Sequence, residues 1–122
     1  MTDKKIFFSL KDLENELAKK KYLNKKIIHF HGVFDLLHIG HLNYFKNSKS
    51  KGDILIVTVT SDEFINKGPN RPYFNLINRL KMLSSLDLVD IVAASYSKTA
   101  IDLINIIKPN FYCKGPDYKN LK

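Results

Sequence analysis

The feature of this sequence that most restricts its fold is an almost uninterrupted apolar and β-branched run at residues 53–60, Asp-Ile-Leu-Ile-Val-Thr-Val-Thr. A strand with one face in water alternates apolar and polar residues, whereas a run like this one is typical of a strand buried on both faces of a parallel sheet. Helices on both sides are needed to cover such a strand. The run therefore predicts an α/β domain.

Helix and strand patterns alternate along the rest of the chain. Ser9 can cap a helix whose apolar stripe is Leu10, Leu13 and Leu17. The alternation β-α-β-α-β-α-β that follows implies a parallel sheet with right-handed crossovers. We therefore expect a Rossmann-like three-layer α/β/α fold with a parallel sheet and an extra N-terminal helix. Besides the run at 53–60, strands are predicted at 26–31, 89–93 and 111–114, and helices at 39–51, 76–86 and 100–107.

Length and composition restrict the domain organisation and the compartment. The 122 residues have room for one core, which we divide into an N-terminal helical extension at 1–24 and a main domain at 25–122. A single cysteine, Cys113, excludes an internal disulfide. The sequence shows neither a signal peptide nor an apolar run of membrane-spanning length, so we expect a cytoplasmic protein without a membrane partner.

The net charge is strongly positive. Lysine and arginine outnumber aspartate and glutamate by 20 to 12, which gives a net charge of +8. Such an excess attracts anions, including nucleic acids, acidic lipids and phosphorylated metabolites. Much of it is lysine in the N-terminal segment, where a solvated face is the simpler interpretation. Charge alone therefore identifies no partner.

Three segments of unusual composition follow predicted strands. They are residues 31–41, 61–73 and 114–118. Open parallel sheets bind their ligands beyond the carboxyl ends of the strands, so these segments are expected to meet at one edge. Their convergence predicts a binding site there.

The segment at 31–41 has the composition of an anion site. Gly32 lets the backbone approach a ligand closely at the end of a strand. His38 and His41 are three residues apart, so they share one face if a helix begins there. A helix N-terminus offers unpaired N–H groups and a positive dipole end, and Gly40 would let phosphate oxygens come near the backbone. Two imidazoles at such a place suit a phosphate that gains charge during a reaction.

The run Gly-x-Phe-Asp-x-x-His-x-Gly-His at residues 32–41 resembles the signature of the cytidylyltransferase-like nucleotidyltransferases. The later motifs look most like those of the heptose 1-phosphate adenylyltransferases of bacterial surface-polysaccharide synthesis. Glycerol-3-phosphate cytidylyltransferases are a more distant likeness. These later motifs lie at 60–62, 67–72, 79, 89–90 and 114–118.

The resemblance implies that AMP or CMP is transferred from ATP or CTP to a phosphorylated sugar or polyol, with release of pyrophosphate. The attacking phosphate oxygen is already ionised, so catalysis reduces to in-line positioning and charge stabilisation. By the resemblance, His38 and His41 contact the triphosphate and stabilise the transition state, and the backbone at Val33 and Phe34 helps to cradle it. Mg²⁺ would be held mainly by the triphosphate, without protein ligands.

Three basic residues are candidates for further phosphate contacts. Lys67 and Arg71 lie in a proline-containing loop and could close over the phosphates as mobile cations, and Arg79 on the next helix could add a third. Each of them could instead be surface charge.

The remaining candidates have structural alternatives as well. Lys114, Gly115 and Asp117 are implied at the base or ribose, although the glycine could equally form a plain turn. Asp35 is a candidate for acceptor binding, or it orients the turn by hydrogen-bonding backbone. Asp62 could contact the hydroxyls of the acceptor or cap a helix.

The histidines leave a metal site open as a rival interpretation. His29, His31, His38 and His41 all lie within thirteen residues. Zinc prefers tetrahedral nitrogen or sulfur ligands, which carboxylates hydrogen-bonded to them orient, and only Asp35 is near in sequence. Metal bound to protein purified without a His tag would favour this rival.

The net charge prompts a second rival, a nucleic-acid-binding module without catalysis. The sequence lacks the interleaved aromatic and basic pattern expected for single-strand binding. This rival also leaves the two histidines unexplained, so we expect no nucleic-acid partner.

Two departures from the family pattern affect the assignment. Family members carry a Ser/Thr-rich motif beyond the last strand, whereas this chain ends at Lys122. The resemblance therefore implies a nucleotidyltransferase domain truncated at its C-terminus, with room for the fused or partner sugar kinase and the homodimer found among relatives. Glycerol-phosphate enzymes place an arginine ahead of the Val89-Asp90 pair, where this chain has Asp87 and Leu88, which weakens that assignment.

Overall fold

The computed structural model describes residues 5–65, 71–97 and 99–114. These residues form a five-stranded sheet in which every pair of neighbouring strands is parallel. The strands are β1 (Ile6–Phe7), β2 (Ile27–Gly32), β3 (Ile54–Thr60), β4 (Ile91–Ser95) and β5 (Phe111–Lys114), in the spatial order β1-β4-β3-β2-β5. The α-helices are α1 (Leu10–Leu17), α2 (Ile39–Lys49), α3 (Leu76–Ser84) and α4 (Ile101–Ile107).

Helices cover both faces of the sheet, as the doubly buried β3 requires. Leu13 of α1 and Leu103 of α4 pack on one face, against Ile56 of β3. Phe45 of α2 and Leu80 of α3 pack on the other, against a neighbouring residue of β3, Val57. Side chains alternate between faces along a strand, so successive residues of β3 serve the two cores in turn. The predicted Rossmann-like α/β/α fold is thereby confirmed.

Local signals in the sequence account for where two of the helices begin. The Ser9 side chain accepts a hydrogen bond from Asp12 N, which confirms the predicted cap of α1. The Asn75 side chain does the same for Asn78 N at the start of α3. None of the helices in the described part of the chain has the length and apolar character needed to cross a bilayer.

The structure corrects two details of the predicted elements. The strand predicted at 89–93 runs from Ile91 to Ser95, because Asp90 precedes it and its carboxylate accepts a hydrogen bond from Leu55 N of β3. The short strand β1 was not predicted. It pairs with β4 and so places the N-terminal residues in the same sheet. The division into 1–24 and 25–122 stays a prediction.

Candidate functional site

The strand order reverses at β2. The chain passes from β2 to β3 and β4 on one side and then returns to place β5 on the other side. The crevice beyond the carboxyl ends of β2 and β5 is therefore the topological switch point, where open α/β sheets bind ligands. His31 pairs in register with Lys114 at this edge. The structure thus brings the end of β5 beside the segment that leads from β2 into α2.

The turn after β2 is strained at Phe34. Its φ is 53°, in the left-handed region that residues other than glycine rarely adopt. Its ring is buried, with ring centroids 5.9 Å from Phe45 and 5.7 Å from His41. This packing holds the unusual backbone in place between buried Gly32 and the start of α2. Backbone strain of this kind clusters at functional sites.

The two signature histidines cap α2 reciprocally. His38 is the N-cap residue, and its Nδ1 accepts a hydrogen bond from Gly40 N at 3.0 Å. His41 Nδ1 accepts one from His38 N at 3.2 Å. Both Nδ1 atoms therefore serve as acceptors, so each neutral ring carries its proton on Nε2. The cap fixes the tautomer of both rings, with the proton of each neutral ring on Nε2.

The environment keeps His41 neutral. Burial, and secondarily the His38 ring whose centroid lies 4.1 Å away, lower the pKa of His41 from the usual 6.5 to about 4. At neutral pH the ring is thus an uncharged hydrogen-bond donor. A nearby anion favours the protonated imidazole, so a bound triphosphate would raise this pKa.

The position of the His38 ring leaves no room for a side chain at residue 40. A Cβ at residue 40 would lie 2.7 Å from His38 Cε1 and 3.0 Å from His38 Nδ1. We expect Gly40→Ala to push the ring off Gly40 N and to release its tautomer. Alanine also favours a helix by about 1 kcal/mol over glycine, so stability is a poor readout. The ¹⁵N chemical shifts of the His38 ring report the change directly.

Ile39→Ala is the matched control, since Ile39 is exposed in the same helical turn. The ring nitrogens of His38 should keep their shifts in that variant. Unchanged His38 shifts in Gly40→Ala would contradict the assigned cap.

Asp35 ties the loop after β2 to the segment before α3. Its buried carboxylate accepts hydrogen bonds from Arg71 Nε at 2.9 Å, Tyr73 N at 2.7 Å and Phe74 N at 2.9 Å. Burial alone would raise the pKa of Asp35, but the two backbone hydrogen bonds and the Arg71 guanidinium outweigh it and hold this pKa below its usual value. Asp35 thus hydrogen-bonds backbone, but the backbone it holds is that of residues 73–74 and not that of its own turn, as the alternative supposed.

Arg71, which was predicted to contact phosphates, is held by Asp35 and Tyr73. Its Nε is bonded to Asp35, and its guanidinium lies over the Tyr73 ring, 4.4 Å from the centroid. About a quarter of the Arg71 side chain is exposed. The ion pair uses Nε alone and so orients the two Nη groups of the fork.

Arg79 is wholly buried and makes four hydrogen bonds. Its Nε donates to Phe74 O, and its Nη1 donates to Val33 O at 2.9 Å and to Thr60 O at 2.6 Å. Nη2 donates to Asp62 Oδ1. The side chain thus connects the ends of β2 and β3 to the start of α3. This geometry favours a positioning role over the predicted contact with nucleotide phosphates, and Asp62 is the partner of Arg79 instead of a helix cap.

The other two histidines form a separate buried pair. His29 Nε2 and His31 Nδ1 each lie 2.7 Å from Thr58 Oγ1. Burial, with a small contribution from His31, lowers the pKa of His29 to about 3, and burial with nearby Lys114 lowers that of His31 to about 4. The rings are therefore neutral. No group of three or more His, Cys, Asp or Glu in the described ranges is arranged to hold a metal ion.

This buried pair makes stability depend on pH. Both histidines bind a proton near pH 6.5 when unfolded but only near pH 3–4 when folded. The unfolded state therefore holds more protons over this interval, and stability falls as the pH falls. We expect the free energy of unfolding to drop by about 2–4 kcal/mol between pH 7 and pH 5, measured by urea denaturation.

His29→Gln removes one of three linked protons, because the half-buried His41 also has a lowered pKa, so it should reduce the pH slope by about a third. The carboxylates with lowered pKa, Glu16 and Asp35, lose their contribution only near and below their usual values of 4.5 and 3.8. Constant stability between pH 7 and pH 5 would contradict the neutral assignment of the buried histidines.

Several predicted site residues lie outside the described residues. They are Lys67, Gly115 and Asp117. Lys114 is described and exposed at the end of β5, beside the switch point.

Sequence reasoning gave no role to Thr58 or Ser95, and it noted Thr60 only as part of the motif at 60–62. Thr58 and Thr60 are the polar members of an otherwise apolar strand and are two residues apart, like His29 and His31 on β2. Polar residues with the same period on two adjacent strands were a readable signal for a shared polar face. Ser95 carried no comparable signal.

Comparison with known proteins supplies independent information on this site. A family profile described as cytidylyltransferase-like matches residues 29–120. The bifunctional protein HldE of Helicobacter hepaticus is 40% identical over 122 residues, 98% of this chain and 23% of that protein. HldE of Aliarcobacter butzleri is 38% identical over 113 residues, 91% of this chain and 24% of that protein. The chain thus spans about a quarter of the length of these curated relatives.

A solved structure shows the same architecture. The lipopolysaccharide core biosynthesis protein from Thermoplasma volcanium superposes with a TM-score of 0.67 at 31% sequence identity. The match covers 73% of each chain.

Proposed function

Because the chain belongs to the cytidylyltransferase-like family, we propose that it is a nucleotidyltransferase that moves AMP or CMP from ATP or CTP to the phosphate of a sugar or polyol phosphate. The histidine pair at the start of α2 carries this assignment. His38 and His41 hold their Nε2–H donors in a fixed tautomer at the N-terminus of a helix. A helix N-terminus attracts anions, and the two rings add directed donors for a phosphate.

The reaction needs few chemical groups from the protein. An oxygen of the acceptor phosphate forms a bond to the α-phosphorus, and the bond from that phosphorus to pyrophosphate breaks. The nucleophile is already ionised, so no general base is required. What the protein supplies is in-line positioning and stabilisation of the charge that develops on the α-phosphate oxygens. Donors that are held in place before the reaction achieve this most effectively.

Cations near the histidine pair would neutralise the charge of the phosphates. Asp35 holds Arg71 through Nε, which leaves the two Nη groups for a phosphate, and Lys67 of the sequence motif at 67–72 is the second candidate cation. Mg²⁺ would be held mainly by the oxygens of the triphosphate and would neutralise part of their charge.

The acceptor we favour is a heptose 1-phosphate, with ATP as the nucleotide, in the synthesis of surface-polysaccharide precursors. HldE relatives at 38–40% identity and a lipopolysaccharide core biosynthesis protein with the same fold support this choice. HldE is bifunctional, which supports a fused or partner sugar kinase that makes the acceptor phosphate. Such a reaction belongs in the cytoplasm, where ATP is available.

A homodimer is the assembly we favour. Leu36 and Ile39, which flank His38 in the sequence, expose 51% and 69% of their surfaces, and Tyr73, whose N–H donates to Asp35, exposes 58%. Exposed apolar side chains that lie together mark protein interfaces. Sedimentation equilibrium of the chain should give the mass of a dimer, and the mass of a monomer at high concentration would exclude it.

The test of this function is pyrophosphate release by the 122-residue chain. ATP and CTP are each supplied with Mg²⁺ and one acceptor, either a heptose 1-phosphate or glycerol 3-phosphate. We expect release with ATP and the heptose 1-phosphate. Release only with CTP and glycerol 3-phosphate would mean that the reaction is nucleotidyl transfer but that the nucleotide and the acceptor differ from those proposed. Binding of a nucleotide without release from any pair would overturn the proposed function.

A further inference from the structure

A row of polar side chains ends at the carboxyl edge of the sheet, on the face that α1 and α4 cover. His31 of β2 is hydrogen-bonded to Thr58 of β3, and Thr60 follows on the same side of that strand. Ser95 of β4 is the register partner of Thr60. His31, Thr60 and Ser95 are only 6%, 8% and 2% exposed. Buried polar residues at the ends of three adjacent strands call for a partner.

The hydrogen bonds around Thr58 have a definite direction. Its buried hydroxyl proton needs an acceptor, and its two contacts are both ring nitrogens, so one ring accepts that proton and the other donates to the oxygen. If His29 donated from Nδ1 instead of Nε2, that N–H would be buried without a partner among the described residues. Orphaned buried donors are rarer than orphaned acceptors. His29 therefore donates to Thr58, and Thr58 donates to His31 Nδ1.

This direction places the proton of His31 on Nε2. Among the described residues, Thr60 Oγ1 can accept that proton, but it lies 3.5 Å from His31 Nε2, which is the limit of a hydrogen bond. The ring thus holds an under-used N–H donor at the end of β2. His29 and Thr58 act as positioning residues, because they fix the tautomer of His31 without reaching the edge themselves.

Ser95 provides a second group in need of a partner. Its Oγ is buried and makes no hydrogen bond to any described residue. The residue is the last of β4, and Tyr96 beside it is exposed. A rotation about χ1 is the movement that would turn this hydroxyl toward the edge.

We propose that His31, Thr60 and Ser95 form a subsite that binds hydroxyl groups of the acceptor. This subsite rests on the proposed nucleotidyl transfer. It lies on the β3–β4 side of β2, and the crevice between β2 and β5 is left for the nucleotide.

The chemistry of the three side chains selects a hydroxyl over a phosphate. Two of them are hydroxyls, which both donate and accept, as sugar hydroxyls do. The third is an imidazole whose pKa is lowered by burial to about 4, so it offers a neutral donor. A site built to hydrogen-bond hydroxyls discriminates strongly against an analogue that lacks them.

The test is Ser95→Ala in the full 122-residue chain, with steady-state kinetics in which either the heptose 1-phosphate or ATP is varied. We expect the KM for the sugar phosphate to rise about tenfold, as for one lost hydrogen bond, and the KM for ATP to stay within about twofold. The melting temperature should stay the same or rise, because the removed hydroxyl has no partner in the fold. If Ser95 had only a structural role, Ser95→Ala would lower the melting temperature and leave the KM for the sugar phosphate unchanged.

Ser84→Ala is the matched control. Ser84 is also a buried serine, but its Oγ donates to Lys81 O within α3. It should leave both KM values unchanged. If Ser95→Ala and Thr60→Val both keep the wild-type KM for the acceptor, the subsite is overturned. The proposed function still stands in that case, provided that the wild-type chain turns over. Absence of wild-type turnover with every sugar phosphate would overturn the function and the subsite together.

Discussion

Replacing His38 or His41 with alanine should lower kcat about 10²- to 10³-fold, the effect of removing one preorganised donor from a developing oxyanion. The two rings are held by each other's cap, with Nδ1 of each bonded to backbone and Nε2–H left as the donor. Steady-state turnover with saturating ATP and acceptor measures the loss. Each variant should still fold, because a lost N-cap costs about 1 kcal/mol.

A matched variant separates chemistry from capping at His38. Asparagine is among the best N-cap residues, so His38→Asn should keep the start of α2 while it removes the imidazole. We expect His38→Asn to be as stable as wild type and as slow as His38→Ala. Recovery of wild-type turnover in His38→Asn would mean that His38 serves only to cap the helix.

Replacing Arg79 with methionine should reduce the free energy of unfolding by about 3–5 kcal/mol. Its guanidinium serves the carbonyl oxygens of Val33, Thr60 and Phe74, and each loses its donor in the variant. An unsatisfied buried group costs about 1–3 kcal/mol, and Asp62 loses its ion-pair partner in addition. Domains of this kind are stable by only about 5–15 kcal/mol, so urea denaturation should show a large shift.

Arg79→Lys tests the role of the planar fork. Lysine keeps the charge but cannot serve four acceptors in this geometry, so we expect it to recover only a small part of the stability. Arg71→Met is the control, because Arg71 makes a single, partly exposed ion pair with Asp35. Wild-type stability of Arg79→Met together with weakened ATP binding would restore Arg79 as a direct phosphate contact.

The sequence was sufficient for the fold because its strongest signals are local. The apolar run that became β3 and the capped stripe that became α1 need no knowledge of distant residues. The run at 32–41 likewise carried the family resemblance, which the comparisons confirm. The strand β1 escaped prediction because two residues are too short to show a period.

The site was less predictable because its contacts join distant residues. Asp35 and Arg71 are 36 positions apart, and Arg79 reaches carbonyls 46 and 19 positions away. An arginine that satisfies carbonyl oxygens in the core has the same sequence signature as one on the surface. The reciprocal cap of His38 and His41 also depends on side-chain geometry, which spacing alone does not give.

The most direct test follows the phosphorus atoms by ³¹P NMR, with the chain, ATP, Mg²⁺ and a heptose 1-phosphate in one sample. Nucleotidyl transfer predicts pyrophosphate together with a sugar-linked diphosphate in which the α-phosphorus of ATP is joined to the sugar phosphate. The same sample with His38→Ala should remain almost unchanged over the same time. Formation of ADP and a doubly phosphorylated sugar, or of the linked product at an equal rate in His38→Ala, would contradict nucleotidyl transfer at this histidine pair.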